Sequence, residues 1–178
     1  MRSPDTSEPG DRQRFEQMIL PHLDAAYNLA RWLVRDAAIA QDVTQDAMLR
    51  ALTYFSGFRG GDARAWLLQI VRNAAYGRLA ARPELPLEAD TPELIDPADD
   101  PEASYARGQD AGRLDRALAA LPAELRECLV LRELEELSYK EIARIVDVPI
   151  GTVMSRLWRA RQALLQAQGG PRCGTDRQ

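Results

Sequence analysis

The chain has 178 residues, 46% of them hydrophobic and 28% charged, which suits one ordinary domain or two small ones. No segment approaches the roughly 18 apolar residues of a membrane span, and the polar amino terminus has no secretory signal, so we expect a cytoplasmic protein without membrane insertion. His22 is the only histidine, and Cys128 and Cys173 are far apart, which argues against zinc sites, histidine-based triads and a disulfide framework. We expect no metal and no cofactor.

The first predicted module covers residues 11–82 and is helical. No glycine or proline occurs between Asp24 and Ser56, and Pro21 is expected to kink or restart the first helix. After a glycine-rich break, Asp62 can cap a third helix that ends near residue 81. Three helices, or four if the first is divided, with short connections predict a compact bundle. Apolar residues at three- and four-residue steps predict two buried faces: Leu23, Ala26, Tyr27, Ala30 and Val34, then Ile39, Val43, Ala47, Ala51 and Tyr54.

Residues 83–108 form a predicted linker. They contain five of the chain's eleven prolines, and Arg107 is their only basic residue among many acids. Proline removes backbone donors and like charges repel, so we expect an extended, flexible segment without a core. The formal net charge of −4 is therefore concentrated in the middle of the chain and does not by itself exclude a nucleic-acid partner.

The second predicted module covers residues 109–168 and contains four short helices. Ser138 and Glu141 have the spacing of a capping box at the start of one of them. The segment "DVPIG" ends that helix, and residues 169–178 are expected to be a disordered tail. No strand signal occurs, so the predicted fold class is all-α. The expected inner positions of its helices are Leu125, Leu129 and Leu134, then Ile142, Ala143 and Val146, and finally Val153, Leu157, Ala160 and Leu164.

The last two helices fit a helix-turn-helix. Ala143 is small enough for the helices to cross closely, Pro149 favours the turn, and Asp147 can adopt the left-handed conformation there. Arginine and serine on the outer face suit base edges or phosphates of DNA. The alternative is an ordinary helical hairpin with a solvated basic face. The outer face contains Thr152, Met154, Ser155, Trp158, Arg159 and Gln162.

Both modules also resemble one protein family. The segment "ALAALPAELRECLVLRELEELSYKEIARIVDVPIGTVMSRLWRARQAL" resembles the −35-binding region of bacterial RNA polymerase sigma factors of the extracytoplasmic-function (ECF) group. The segments "AQDVTQDAMLRAL" and "FSGFRGGDARAWLLQIVRN" resemble the core-polymerase-binding helix and the −10 element region of the same group. The resemblance covers residues 11–168 in the family's order.

The resemblance implies three sets of site residues. Those for the −35 element are Thr152, Met154, Ser155, Arg156, Trp158 and Arg159. Those for the −10 element, where a flipped base would be captured, are Phe58, Arg59, Gly60, Arg64, Arg72 and Asn73. Those for core polymerase are Asp42, Gln45, Asp46 and Arg50.

The function implied is that of a non-enzymatic initiation subunit. Its partners would be core RNA polymerase, through the clamp helices of the largest subunit and the flap, promoter DNA and an anti-sigma factor. One alternative is a sigma mimic that binds an anti-sigma protein without promoter recognition, and another is a repressor or activator that uses the helix-turn-helix alone. For single residues, Trp66 can instead be a core anchor, and Trp158 can instead pack against the first module.

Overall fold

The computed structural model describes residues 9–81 and 114–167, and all regular structure within them is helical. The prediction of an all-α protein is confirmed. The predicted linker 83–108 and the predicted tail 169–178 lie outside the described residues.

Four α-helices form the first module and four helical segments form the described part of the second. In the first module they are α1 (Pro9–Met18), α2 (Leu23–Val34), α3 (Ala37–Tyr54) and α4 (Ala63–Ala80), with 3₁₀ helices at Leu20–His22 and Phe55–Gly57. In the second they are α5 (114–120), α6 (Ala123–Glu133), α7 (Tyr139–Val146) and α8 (Ile150–Ala167). The 3₁₀ helix at Pro21 confirms the expected restart between α1 and α2.

Side-chain caps begin three of these helices. The Asp36 carboxylate accepts a hydrogen bond from the Ile39 backbone N–H at 2.9 Å, and the Asp62 carboxylate one from Ala65 at 3.0 Å. At α7 the Ser138 hydroxyl accepts from the Glu141 N–H at 3.3 Å, and the Glu141 carboxylate accepts from the Ser138 N–H at 2.7 Å. The predicted cap at Asp62 and the predicted capping box are therefore confirmed.

Replacement of Ser138 by alanine is expected to lower the free energy of unfolding by about 1 kcal/mol, because the first turn of α7 loses a backbone hydrogen-bond partner. Urea unfolding at neutral pH measures the change. Ser56→Ala is the control, since Ser56 is exposed and caps no α-helix, and it is expected to change stability by less than about 0.5 kcal/mol. Equal midpoints for the two variants would show that the capping box contributes nothing.

The predicted apolar faces are correct except at three helix ends. Leu23, at the start of α2, is 40% exposed, and Tyr54, at the end of α3, is 65% exposed. Leu134, just after α6, is 54% exposed. At the latter two positions the chain leaves the helical path, so a later residue enters the core instead: Phe55 after α3 and Leu137 after α6.

The two modules pack against each other. Helices α2, α3 and α4 contact one another in the first module, as do α6, α7 and α8 in the second. Helix α4 also contacts α7, and α2 contacts α6, so that one hydrophobic cluster extends through both modules. The sequence predicted two bodies joined by a linker and suggested a contact between them only through Trp158, which is exposed.

Candidate nucleic-acid interface

The helix-turn-helix consists of α7, a short turn and α8. Asp147 has φ 55° in the left-handed region, as predicted, and the Val148 N–H donates to the Ala143 carbonyl at 3.1 Å. Val153, Leu157 and Ala160 are buried along the inner side of α8. Together these contacts hold α8 as a rigid helix whose opposite side faces solvent.

The outer face of α8 presents most of the residues predicted to contact the −35 element. Met154 is 53% exposed and Trp158 is 65% exposed, and Ser155 and Arg159 are exposed beside them. The alternative in which Trp158 packs against the first module does not occur. Thr152 is half-buried at the edge of this face.

Arg156 lies apart from that face. Its side chain is 17% exposed, and its Nη1 donates to Glu127 Oε1 on α6 at 3.3 Å. A cation that neutralises a buried carboxylate has little freedom to reach a phosphate. The structure therefore directs the half-buried Arg156 towards α6, separate from the other predicted −35 residues.

The glycine-rich loop before α4 is held by an aromatic cluster. Gly60 and Gly61 have φ values of 92° and 105°, which residues with a side chain rarely adopt. The Phe58 ring is buried, 4.9 Å from the Trp66 ring and 5.9 Å from the Phe55 ring between centroids. Phe58 therefore supports the loop from below, while Arg59 and Gly60 are exposed at its tip.

A cavity of about 470 Å³ lies beneath this loop. Its walls include Trp66 and Gln69 of α4, and also Arg144 and Ile145 of α7. The second module thus closes one side of the space that the loop borders. The half-buried Trp66 acts both as a core anchor and as part of the wall.

The remaining predicted −10 residues lie on α4 in two different environments. Asn73 is exposed. Arg72 Nε donates to Glu127 Oε2 at 2.8 Å and Arg72 Nη2 donates to Glu127 Oε1 at 3.3 Å, and Arg64 pairs with Glu135. Both arginines are therefore held by acids of the second module.

Glu127 is the centre of this charged cluster. It has no exposed surface and contacts the guanidinium groups of both Arg72 and Arg156. Burial raises the pKa of the Glu127 carboxyl, and the hydrogen bond and positive charge of Arg72 oppose that effect. The Arg72 guanidinium also stacks 4.6 Å from the centroid of the Tyr76 ring.

Sequence reasoning missed Glu127, Glu135 and Arg126, all of which are buried. A polar residue on an amphipathic helix is expected to face solvent, but α6 is buried on every side over Leu125–Leu131. The run "CLVL" within α6 is the one signal that could have indicated a helix without a solvent face.

Helix α3 presents the residues predicted to contact core polymerase. Asp42, Gln45, Asp46 and Arg50 are all exposed, spaced so that they share one side of the helix. Asp42 accepts a hydrogen bond from Arg78 at 2.9 Å. On the opposite side Thr44 is buried and donates its hydroxyl to the Ala40 carbonyl at 2.7 Å.

The described residues offer neither a metal-binding cluster nor a reactive thiolate. Within 9–81 and 114–167, no group of three or more histidine, cysteine, aspartate or glutamate side chains is placed to hold a metal ion. Cys128 is buried, and burial raises the pKa of its thiol to about 11, so it is not a reactive thiolate at neutral pH. No helix in this part of the chain has the length and hydropathy needed to cross a bilayer.

Known proteins match both modules. Residues 18–82 match the family model for Sigma-70 region 2, and residues 111–164 match that for Sigma-70, region 4. The chain is 34% identical over 169 residues to RNA polymerase sigma-H factor of Pseudomonas aeruginosa, covering 89% of this chain and 88% of that protein. It is 31% identical over 168 residues to ECF RNA polymerase sigma-E factor of Escherichia coli K12, covering 88% and 87%.

Solved structures share the fold. The sigma factor RpoE of Bartonella quintana, in complex with the anti-sigma factor NepR, superposes with a TM-score of 0.75 and 27% identity, covering 90% of this chain and 99% of that one. CnrH in complex with the cytosolic domain of CnrY gives a TM-score of 0.64 at 23% identity, with 90% of each chain covered, which shows a common fold.

Proposed function

The chain belongs to the ECF group of the sigma-70 family of RNA polymerase sigma factors, and from this premise we propose how its residues divide the work of initiation. As a sigma factor it binds core polymerase and promoter DNA and initiates transcription without being an enzyme. We propose that the first module, residues 11–82, binds core polymerase and the −10 element. The second module, residues 109–168, binds the −35 element, and residues 83–108 link the two in the cytoplasm.

The observation that carries the −35 assignment is the exposed outer face of α8. Met154, Ser155, Trp158 and Arg159 project from a helix whose other side is anchored in the module's core. Such a face can enter the major groove, with Arg159 reaching a guanine edge or a phosphate and Met154 touching a thymine methyl. Thr152 borders the face, and Arg156 joins it only when it leaves Glu127.

The −10 assignment rests on the loop and α4. Arg59 and Gly60 at the exposed loop tip, together with Asn73 on α4, are available to a single strand. The cavity beneath the loop includes the half-buried Trp66 in its wall, which provides aromatic surface against which a flipped base can stack, while Phe58 supports that wall from below. Arg64 and Arg72 would hold the phosphates next to it.

Core polymerase is proposed to contact the chain at two places. The clamp helices of its largest subunit contact the exposed face of α3, and the flap contacts the second module. The residues of the α3 face are Asp42, Gln45, Asp46 and Arg50. An anti-sigma factor is a further proposed partner, because the fold similarity to a sigma factor bound to NepR extends over 90% of this chain.

Reconstitution with core polymerase tests the proposal. The purified chain plus core polymerase is expected to make transcripts from a library of promoter fragments, and sequencing their 5′ ends identifies the cognate elements. The sigma-mimic alternative predicts that the chain binds an anti-sigma protein but yields no transcript from any fragment. An exposed Arg159 and Asn73 favour promoter recognition over that alternative.

Replacement of Arg159 by alanine is expected to weaken binding to the −35 element about tenfold and to make the salt dependence of binding shallower by about one unit of slope. Fluorescence anisotropy with a labelled duplex across a salt series measures both. Arg161→Ala is the matched control, because Arg161 lies on the same helix but pairs with Glu133 at 2.8 Å. A slope equal to that of the control would contradict the assignment of Arg159.

A further inference from the structure

Two arginines of α4 reach across the boundary between the modules. Arg72 binds the Glu127 carboxylate of α6 through two N–H groups, at 2.8 and 3.3 Å, and Arg64 pairs with Glu135, which follows α6. Both acids are nearly or fully buried, Glu127 at 0% and Glu135 at 5% exposure. We call these two contacts the module clasp.

The module clasp occupies the groups that a nucleic-acid backbone would need. A carboxylate and a phosphate both present paired oxygens to the fork of a guanidinium, and one arginine fork cannot bind both at once. While Arg72 holds Glu127 through two N–H groups its fork is not available to a phosphate, and Arg64 gives one of its guanidinium nitrogens to Glu135.

The packing of α7 against α4 also closes one side of the cavity in which a flipped base would be bound. Arg144 and Ile145 of α7 form part of the wall of the cavity beneath the loop, together with Trp66 and Gln69 of α4. A nucleotide entering from that side meets the second module. Arg64, Arg72 and one side of the cavity are therefore engaged by one docking event, while Arg59, Gly60 and Asn73 of the proposed −10 surface stay exposed.

We propose that the module clasp competes with single-stranded −10 DNA for Arg64 and Arg72. The carboxylates of Glu127 and Glu135 occupy the positions that phosphates would take. The chain must therefore open between α4 and α6–α7 before it binds the strand. This inference rests on the proposed role of the loop and α4 in −10 binding. Arg156 and Glu127 both belong to the second module, so their ion pair can persist after opening. The ion pairs that Arg72 and Arg64 make with the second module are broken.

The energetics suit a reversible contact. An ion pair taken out of water gains little over its separated, hydrated partners, because desolvation offsets the attraction. Opening returns both charges to water, so the free-energy difference between the docked and the open state is small enough for the contact to be reversible. Neutralising only the acid leaves a partly buried guanidinium, with Arg72 20% and Arg64 31% exposed, without its charged partner, and this disfavours the closed state.

Three variants of the full chain, without polymerase, test the proposal. Glu135→Gln neutralises one clasp acid, Glu127→Gln with Glu135→Gln neutralises both and also the partner of Arg156, and Glu133→Gln is the control. Glu133 carries the same charge but makes an exposed pair with Arg161 inside the second module. The radius of gyration from small-angle X-ray scattering reports opening. Binding is measured by the anisotropy of a labelled single strand. The strand carries the −10 region of a promoter that the wild type transcribes with core polymerase.

The clasp variants are expected to have a larger radius of gyration than the wild type. They are also expected to bind the strand about tenfold more tightly than Glu133→Gln, because the apparent affinity scales with the open fraction. A compact scattering profile, or an affinity equal to that of the control, would overturn the inference. Failure of the wild type to transcribe any template would instead overturn the proposed function.

Charge exchange covers the case in which the double variant does not fold. Arg64→Glu alone is expected to open the chain, and Arg64→Glu combined with Glu135→Arg is expected to restore the compact form. If the exchanged pair remains expanded while its circular dichroism is native, the clasp does not hold the modules together.

Discussion

Replacement of Arg126 by alanine is expected to lower the free energy of unfolding by about 3 kcal/mol. Its guanidinium donates to the carbonyl oxygens of Leu118, Ala119 and Leu121 in the second module and of Trp32 in the first, at 2.8 to 3.2 Å. The residue is 6% exposed, so its loss leaves acceptors without donors and opens a cavity. Burial lowers the pKa of Arg126 to about 10, which still keeps it charged at neutral pH.

Two further variants separate the causes. Arg126→Lys keeps the charge but not the planar fork, so an intermediate loss is expected. Arg132→Ala removes one hydrogen bond, to the Leu137 carbonyl at 2.8 Å, and a cation–π contact with Tyr139 at 5.2 Å, and a loss of about 1 to 2 kcal/mol is expected. Urea unfolding measures all three. If Arg126→Ala cost no more than Arg132→Ala, the four carbonyl contacts would not stabilise the fold.

Replacement of Asp46 by arginine is expected to reduce affinity for core polymerase at least about 30-fold, and transcription at limiting chain concentration with it. Asp46 is exposed in the middle of α3, on the side shared with Asp42 and Arg50. Because a partner surface that accepts an acid opposes a base at the same point, reversal of charge adds repulsion to the lost attraction. The exposed position predicts little effect on the fold itself.

Asp24→Arg is the matched control for this charge reversal. Asp24 is also an exposed acid of the first module, in the first turn of α2. We expect it to leave polymerase affinity within about twofold, at a stability cost of less than about 1 kcal/mol from the helix dipole. Competition against a labelled wild-type chain for core polymerase measures both variants. Undiminished binding by Asp46→Arg would move the polymerase contact away from this face of α3.

Local signals predicted the helices and their ends. The caps at Asp62 and Ser138 connect residues three positions apart, and the left-handed residue Asp147 belongs to the turn itself. Such features are visible in the sequence because their atoms are close along the chain. The errors at Tyr54 and Leu134 arose where the helix ended and the periodicity no longer described the path.

The exposed part of the site was predictable for the same reason. Once Val153 and Leu157 are assigned to the inner side of α8, helical geometry puts Ser155 and Arg159 outside. The same reasoning places Gln45 and Asp46 outside on α3. It does not reveal that Phe58 lies under the loop, because that position depends on the rings of Phe55 and Trp66 around it.

The sequence by itself therefore determined the two helical modules, their caps and turns, the family, and which sides of α3 and α8 face outward, since each depends on neighbours within about one helical turn. Only the tertiary structure decided the burial of Arg126 and Glu127 and the partners of Arg64 and Arg72. The contacts from Arg64 to Glu135 and from Arg72 to Glu127 join residues 71 and 55 positions apart. The sequence around a charged residue in a helix does not indicate such a distant partner. Whether the side chain is buried depends on a surface that another part of the chain supplies.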